Sequence, residues 1–112
     1  MGARSRRDPA QVVKYRFLVR QRAKGDLRSA ARRYELQRPG LGREFIAEVD
    51  AALNRVAENP LQYQALHREA RRAIVHRFPY GVFYRVEAET IIVFCIIHLH
   101  QDPTVWKSRV PE

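Results

Sequence analysis

The chain contains one cysteine, Cys95, which excludes an internal disulfide framework and suits a reducing, cytoplasmic setting. Cys95 lies among isoleucines and a phenylalanine, so it reads as a small core residue. A catalytic thiol needs a polar, electropositive setting to form its thiolate. Lysine is scarce too: Lys14, Lys24 and Lys107 are the only three, and arginine supplies the rest of the 21 basic residues. No apolar run approaches the roughly 20 residues that cross a bilayer. The basic, polar start lacks the apolar core of a secretory signal. Internal repeats, low-complexity linkers and the familiar nucleic-acid-binding motifs are missing as well. No spaced Cys/His set completes a metal site, so neither metal nor cofactor is expected.

What is present is positive charge. The 21 basic residues face 12 acidic ones, giving a net charge of +9 and a pI near 10.6. That balance implies an anionic partner, whether nucleic acid, the ribosome or an acidic protein segment. Arginine favours planar, bidentate contacts over diffuse attraction. At 112 residues, 46% of them hydrophobic, the chain is long enough for one domain with a modest core. Residues 1–11 read as a basic flexible tail and residues 12–112 as the domain.

Periodicity orders the domain. Val12–Arg20 alternates, with Val13, Tyr15, Phe17 and Val19 on one face and Lys14, Arg16, Leu18 and Arg20 on the other. This predicts a half-buried strand at a sheet edge. Gly25–Asp26 then predicts a helix start with Asp26 as N-cap. Leu27, Ala30, Ala31 and Tyr34 form its apolar stripe, and Arg28, Arg32, Glu35 and Arg38 point away. Pro39–Gly40 stops it. A second helix is predicted over Gly42–Glu58, with Phe45, Val49, Ala52, Leu53 and Val56 inward and Ile46 alongside. Leu61–Ala70 is expected to be a loop, with Tyr63 and Leu66 tucked beneath it.

Three strand-like segments follow: Ala73–His76, Val82–Val86 after the Arg77–Gly81 corner, and Ile91–Ile97. The last is apolar on both faces and is expected inside the sheet. Their connections are too short for crossover helices, so they should be antiparallel. Asp102–Pro103 is an N-cap followed by the residue best suited to the first helical position, opening a turn that carries Trp106 and Arg109. The fold class is α+β: an antiparallel sheet in the order β-α-α-β-β-β, a helical hairpin on one face, and a short C-terminal helical turn.

Several residues could carry chemistry. His98 and His100 share a face if the strand continues, and His76 could lie near them. They could serve as acid and base, bind a metal with Asp102, or simply sit where a strand meets solvent. Arg71, Arg72, Arg77, Arg85 and Arg109 could grip phosphates or receive an acidic peptide, or be solvated and idle. Phe78, Tyr80, Tyr84 and Trp106 read first as core residues.

The run of basic pair, strand, Arg77-Phe78-Pro79-Tyr80-Gly81, Tyr84-Arg85-Val86, apolar strand, His98, and Asp102-Pro103-x-x-Trp106-x-x-Arg109 resembles the C-terminal half of RelE/ParE toxins of type II toxin–antitoxin modules. The likeness extends from the first strand to Arg109. It implies a compact antiparallel sheet backed by two N-terminal helices, and a cognate antitoxin whose acidic, disordered C-terminal segment folds onto the toxin. The family divides by target. RelE-like members cut mRNA on the ribosome with lysines, arginines and often a C-terminal tyrosine. ParE-like members poison DNA gyrase and are not nucleases. This chain has no lysine between Gly25 and Trp106 and no tyrosine after Tyr84, so the ParE-like branch, without an enzyme activity, is favoured. A nuclease variant would rest on Arg77, Arg85, His98 and His100. Target or antitoxin binding would rest on Arg71, Arg72, Arg77, Tyr80, Arg85, Trp106 and Arg109. A non-toxic binding module on the same scaffold is the third class.

Overall fold

The computed structural model describes residues 14–112. The expected tail, and the Val12–Val13 start of the first strand, lie outside the described residues. Strand β1 (Arg16–Val19) leads into a hairpin of two helices, α1 (Gln21–Gln37) and α2 (Leu41–Glu58). Four strands follow, β2 (Ala65–His67), β3 (Ala70–Ile74), β4 (Tyr80–Glu87) and β5 (Thr90–His98), and then the short helix α3 (Pro103–Lys107). The sheet order is β1-β5-β4-β3-β2. The α+β architecture, the hairpin on one face and the C-terminal turn are therefore as expected. The first strand lies at an edge, and the apolar strand β5 is flanked by β1 and β4.

The sheet departs from expectation in three places. It is not wholly antiparallel, because β1 runs parallel to β5 with Arg16 opposite Thr90 and Val19 opposite Val93. The α1–α2 hairpin carries the chain from β1 over one face, and the long range of this pairing leaves no local trace. The Leu61–Ala70 loop contains β2, which pairs with β3 through an irregular register, and Leu66 is exposed rather than tucked in. The strand expected at Ala73–His76 sits earlier, at Ala70–Ile74. It ends before a tight connection in which the Val75 amide donates to the Tyr80 carbonyl.

Both faces of β5 are buried. Toward the helices, Val82, Tyr84, Ile91, Val93 and Ile96 meet Ala30, Phe45, Val49 and Val56. On the opposite face, Phe83, Phe94, Cys95 and Ile97 meet Trp106 and Val110. A bulge makes this possible. Phe83 lies opposite Cys95 and Tyr84 opposite Val93, so Phe94 is an extra residue and the inside–outside alternation changes phase there. Phe94 and Cys95 thus lie side by side under the C-terminal segment. Burial pushes the Cys95 thiol up to about 12, the condition of an inert core residue.

The α1 stripe of Leu27, Ala30, Ala31 and Tyr34 packs inward as predicted and gains Ala23 one turn earlier. Small residues set the approach of the two helices. A Cβ on Gly42 would lie 2.6 Å from the Ala31 carbonyl oxygen. The corner between the helices turns on Gly40 at φ 91°, a left-handed conformation that glycine adopts without steric cost. Glu35 closes the corner by accepting from the amides of Gly40 and Gly42. Those amide bonds, Gly40's first, hold its carboxyl below the usual range. At the centre of the core, the Tyr84 hydroxyl donates to the Pro60 carbonyl at 2.5 Å.

Candidate functional site

The helix α1 begins at Gln21 directly after β1, and Arg20 at its N-cap position supplies no side-chain hydrogen bond. Asp26 is therefore not the N-cap that local sequence suggests. It sits inside the helix with its carboxylate turned toward β5. There it accepts the Ile96 amide at 3.0 Å and the Arg109 guanidinium through two bonds, Nη1 to Oδ2 at 2.6 Å and Nη2 to Oδ1 at 3.2 Å. β1 covers the edge of β5 only as far as Val93, so beyond that point a carboxylate satisfies a backbone amide that a strand would otherwise satisfy. The pair is nearly buried, with 11% of the Arg109 side chain and 15% of the Asp26 side chain exposed. It ties together α1, β5 and the C-terminal segment.

This pair forms the floor of a cleft of about 390 Å³ between α1 and the end of β5. From α1 come Arg22, Asp26, Ser29 and Arg33, spaced so that they share one side of the helix. From the sheet come Tyr80 and His98, and from the closing turn Gln101 and Arg109. Arg33 donates to the Tyr80 hydroxyl at 2.8 Å. The cleft is rich in donors. Its one carboxylate is already engaged by Arg109 and the Ile96 amide.

The residues singled out from sequence do not converge on one point. Tyr80, His98 and Arg109 line the cleft. Tyr80 is otherwise core, packed edge-on against Phe45 at 5.0 Å. Arg71 lies on β3, one strand in from the other sheet edge, where it donates to the Leu61 and Tyr63 carbonyls. Arg77 turns back onto α2 and pairs with Glu44 at 2.8 Å and Glu48 at 3.8 Å. The Arg77 hydrogen bond, with that of Arg38, holds the Glu44 carboxyl below its ordinary value. Arg85 donates to the Pro111 carbonyl and pairs with Glu87 at 3.1 Å. Arg72 is exposed on β3. Trp106 is buried and stacked on Phe83 at 4.7 Å. It packs α3 onto the sheet, and Asp102 caps that helix by accepting the Thr104 amide.

The histidines are rearranged. β5 ends at His98, and His100 follows in a turn rather than on a continued strand. The two rings still approach to 5.1 Å. The His100 amide donates to His98 Nδ1 at 3.0 Å, so neutral His98 carries its proton on Nε2. His76 is exposed beyond the end of β3, and His67 lies edge-on to Trp106. Among the described residues no group of three or more His, Cys, Asp or Glu side chains is placed to hold a metal, and no helix is long and apolar enough to cross a membrane.

Arg22, Arg33 and the structural role of Asp26 were missed from sequence. Their signal is the spacing Arg22-Asp26-Ser29-Arg33, which is visible only once the helix is started at Gln21. The capping preference of Asp26 conceals that register.

Comparison with known proteins agrees with this architecture. No curated protein matches the chain. A solved structure titled "Chromosomal ParDE TA system from P. aeruginosa" superposes with a TM-score of 0.67 at 15% sequence identity, covering 78% of this chain and 98% of that one. The family model for the ParE toxin of the type II toxin–antitoxin system parDE matches residues 17–103. That span takes in the sheet, the helical hairpin and the Asp26 side of the cleft, and by it the chain belongs to the ParE toxin family of type II toxin–antitoxin systems.

Proposed function

We propose that this protein is a cytoplasmic growth inhibitor, held silent by a cognate antitoxin, and that it acts by binding DNA gyrase rather than by cutting RNA. The observation that carries the second half is the dispersal of the nuclease set. Cleavage of an RNA phosphodiester needs an acid, a base and cations around one phosphate. Here the Arg77 corner adjoins the His98 end of the sheet, but its side chain is paired with α2 and Arg85 with the C-terminal segment, while His98 and His100 lie together at the C-terminal end of β5. Family membership supports the toxin reading, and the dispersal supports its non-enzymatic branch.

The antitoxin would supply an acidic segment that folds on contact. Exposed Ile46 on α2 and Ile74 on β3 offer apolar anchors beside the helical hairpin. The net charge of +9 would draw the segment in.

Inducible expression of the chain alone in bacteria, read together with supercoiling by purified gyrase, tests the proposal. The expected result is growth arrest with filamentation, loss of supercoiling activity, and rescue of both by the co-expressed neighbouring gene product. Arrest with mRNA cut inside translated codons, and intact gyrase activity, would replace this reading with a ribosome-dependent endoribonuclease. Normal growth with folded protein present would leave a non-toxic binding module.

A further inference from the structure

The folded chain engages Arg71, Arg77, Arg85 and Arg109 with its own carbonyls and carboxylates and leaves a strongly charged surface open on α1. On α1, Arg22, Lys24, Arg28, Arg32 and Arg33 are exposed, and among the described residues none forms an ion pair. Both carboxylates of the helix are used internally, Asp26 by Arg109 and the Ile96 amide, and Glu35 by the amides of Gly40 and Gly42. Lys24, Arg28 and Arg32 recur every four residues, the spacing at which like charges on a helix repel. The neighbouring α2 shows no such bias, since Arg43 and Arg55 are outnumbered by Glu44, Glu48, Asp50 and Glu58.

We propose that the exposed half of α1 docks on the phosphate backbone of duplex DNA, with Lys24, Arg28 and Arg32 along one flank and Arg22 and Arg33 along the other. Three observations select that partner. Four of the five cations are arginines, whose planar fork fits a phosphate bidentately. No exposed aromatic stands on this face, whereas surfaces that hold single strands stack bases on aromatic rings. Tyr34 is turned into the core, and Tyr80 is 5% exposed. A folding peptide would need apolar ground, and Leu36 near the helix end is the one large apolar residue exposed on α1. Seventeen helical residues span about 25 Å, enough to reach several phosphates on the two sides of a groove. Docking of α1 on DNA does not depend on which protein the toxin targets.

Fluorescence anisotropy of the full chain with a short labelled duplex, at salt from about 50 to about 200 mM, tests it. Contacts to about four phosphates predict a roughly hundredfold loss of affinity across that range. Arg28→Gln with Arg32→Gln should weaken binding about tenfold or more at the lowest salt and flatten the log–log salt slope by about two. Arg68→Gln with Lys107→Gln removes the same charge elsewhere and should leave the slope unchanged. Circular dichroism shows that each variant is folded. Absence of binding, equal loss in both double variants, or tighter binding of a single-stranded oligonucleotide would each overturn the proposal. So would a poly-glutamate peptide that binds the α1 face more tightly than the duplex does.

Discussion

The arginines of the C-terminal sheet and those of α1 come from the same unusual composition, yet the fold treats them in opposite ways. Arg71, Arg77, Arg85 and Arg109 each find a carbonyl or carboxylate within the chain. Arg22, Arg28 and Arg32 find none among the described residues, and Arg33 meets only the Tyr80 hydroxyl. Arg71 and Arg85 stand in strands, Arg77 in the β3–β4 connection and Arg109 after α3, and each lies within reach of a loop, helix or terminus that offers an acceptor; Arg72, exposed on β3, is the exception. The α1 arginines stand on a convex helix whose nearest carboxylates are already taken. A count of positive charge therefore points to an anionic partner without placing it. The availability of each cation after folding is what distinguishes one surface from another.

The sharpest way to break this contrast is to remove Asp26. Asp26→Ala takes the partner from a nearly buried guanidinium and the acceptor from the Ile96 amide. It should cost about 3 kcal/mol, read as a lower midpoint in urea unfolding. Adding Arg109→Met should restore much of that loss, because the cost lies mainly in the charge left without its partner. If Asp26→Ala is no more damaging than Arg28→Gln, the division between internal and available arginines collapses.

Arg85 sharpens the contrast at smaller scale. It is partly exposed, with 22% of its side chain accessible, and it holds the Pro111 carbonyl. Arg85→Gln should cost about 1 kcal/mol and raise amide exchange in the C-terminal segment around Val110, while leaving any gyrase inhibition unchanged once folded protein is equalised. Inhibition lost without such loosening would make Arg85 a contact with the target and return it to the available group.

The sequence was most readable where periodicity reports burial. The inward stripe of α1, nearly the whole of α2, the interior position of β5 and the Asp102–Pro103 opening of α3 all follow from spacing and caps. What could not be read locally was decided by long-range contacts. Asp26 has the chemistry of an N-cap, but its carboxylate serves an amide 70 residues away and a guanidinium 83 residues away. With Asp26 inside the helix, α1 begins at Gln21, and only then do Arg22 and Arg33 align on the cleft. The parallel pairing of β1 with β5 and the bulge at Phe94 are equally invisible, since the partner strand specifies each of them.

Arg28 gives the smallest effect and separates stability from binding. It stands four residues after Lys24 and four before Arg32, so a carboxylate at this position exchanges two repulsions for two attractions. The order of acid before base toward Arg32 is the favourable one along a helix. Each such pair is worth about 0.2–0.5 kcal/mol, so Arg28→Glu should stabilise the fold by about 0.5–1 kcal/mol, a rise of a few degrees in thermal midpoint. The gain should shrink as salt screens the exposed charges. The same substitution should weaken duplex binding more than Arg28→Gln does, because it places a negative charge against phosphate. Such a variant would be more stable and less able to bind, as expected where a row of like charges is held at the expense of stability for a partner. Destabilisation instead would mean that Arg28 already has a partner within the chain, and the contrast between the two sets of arginines would then fail at its centre.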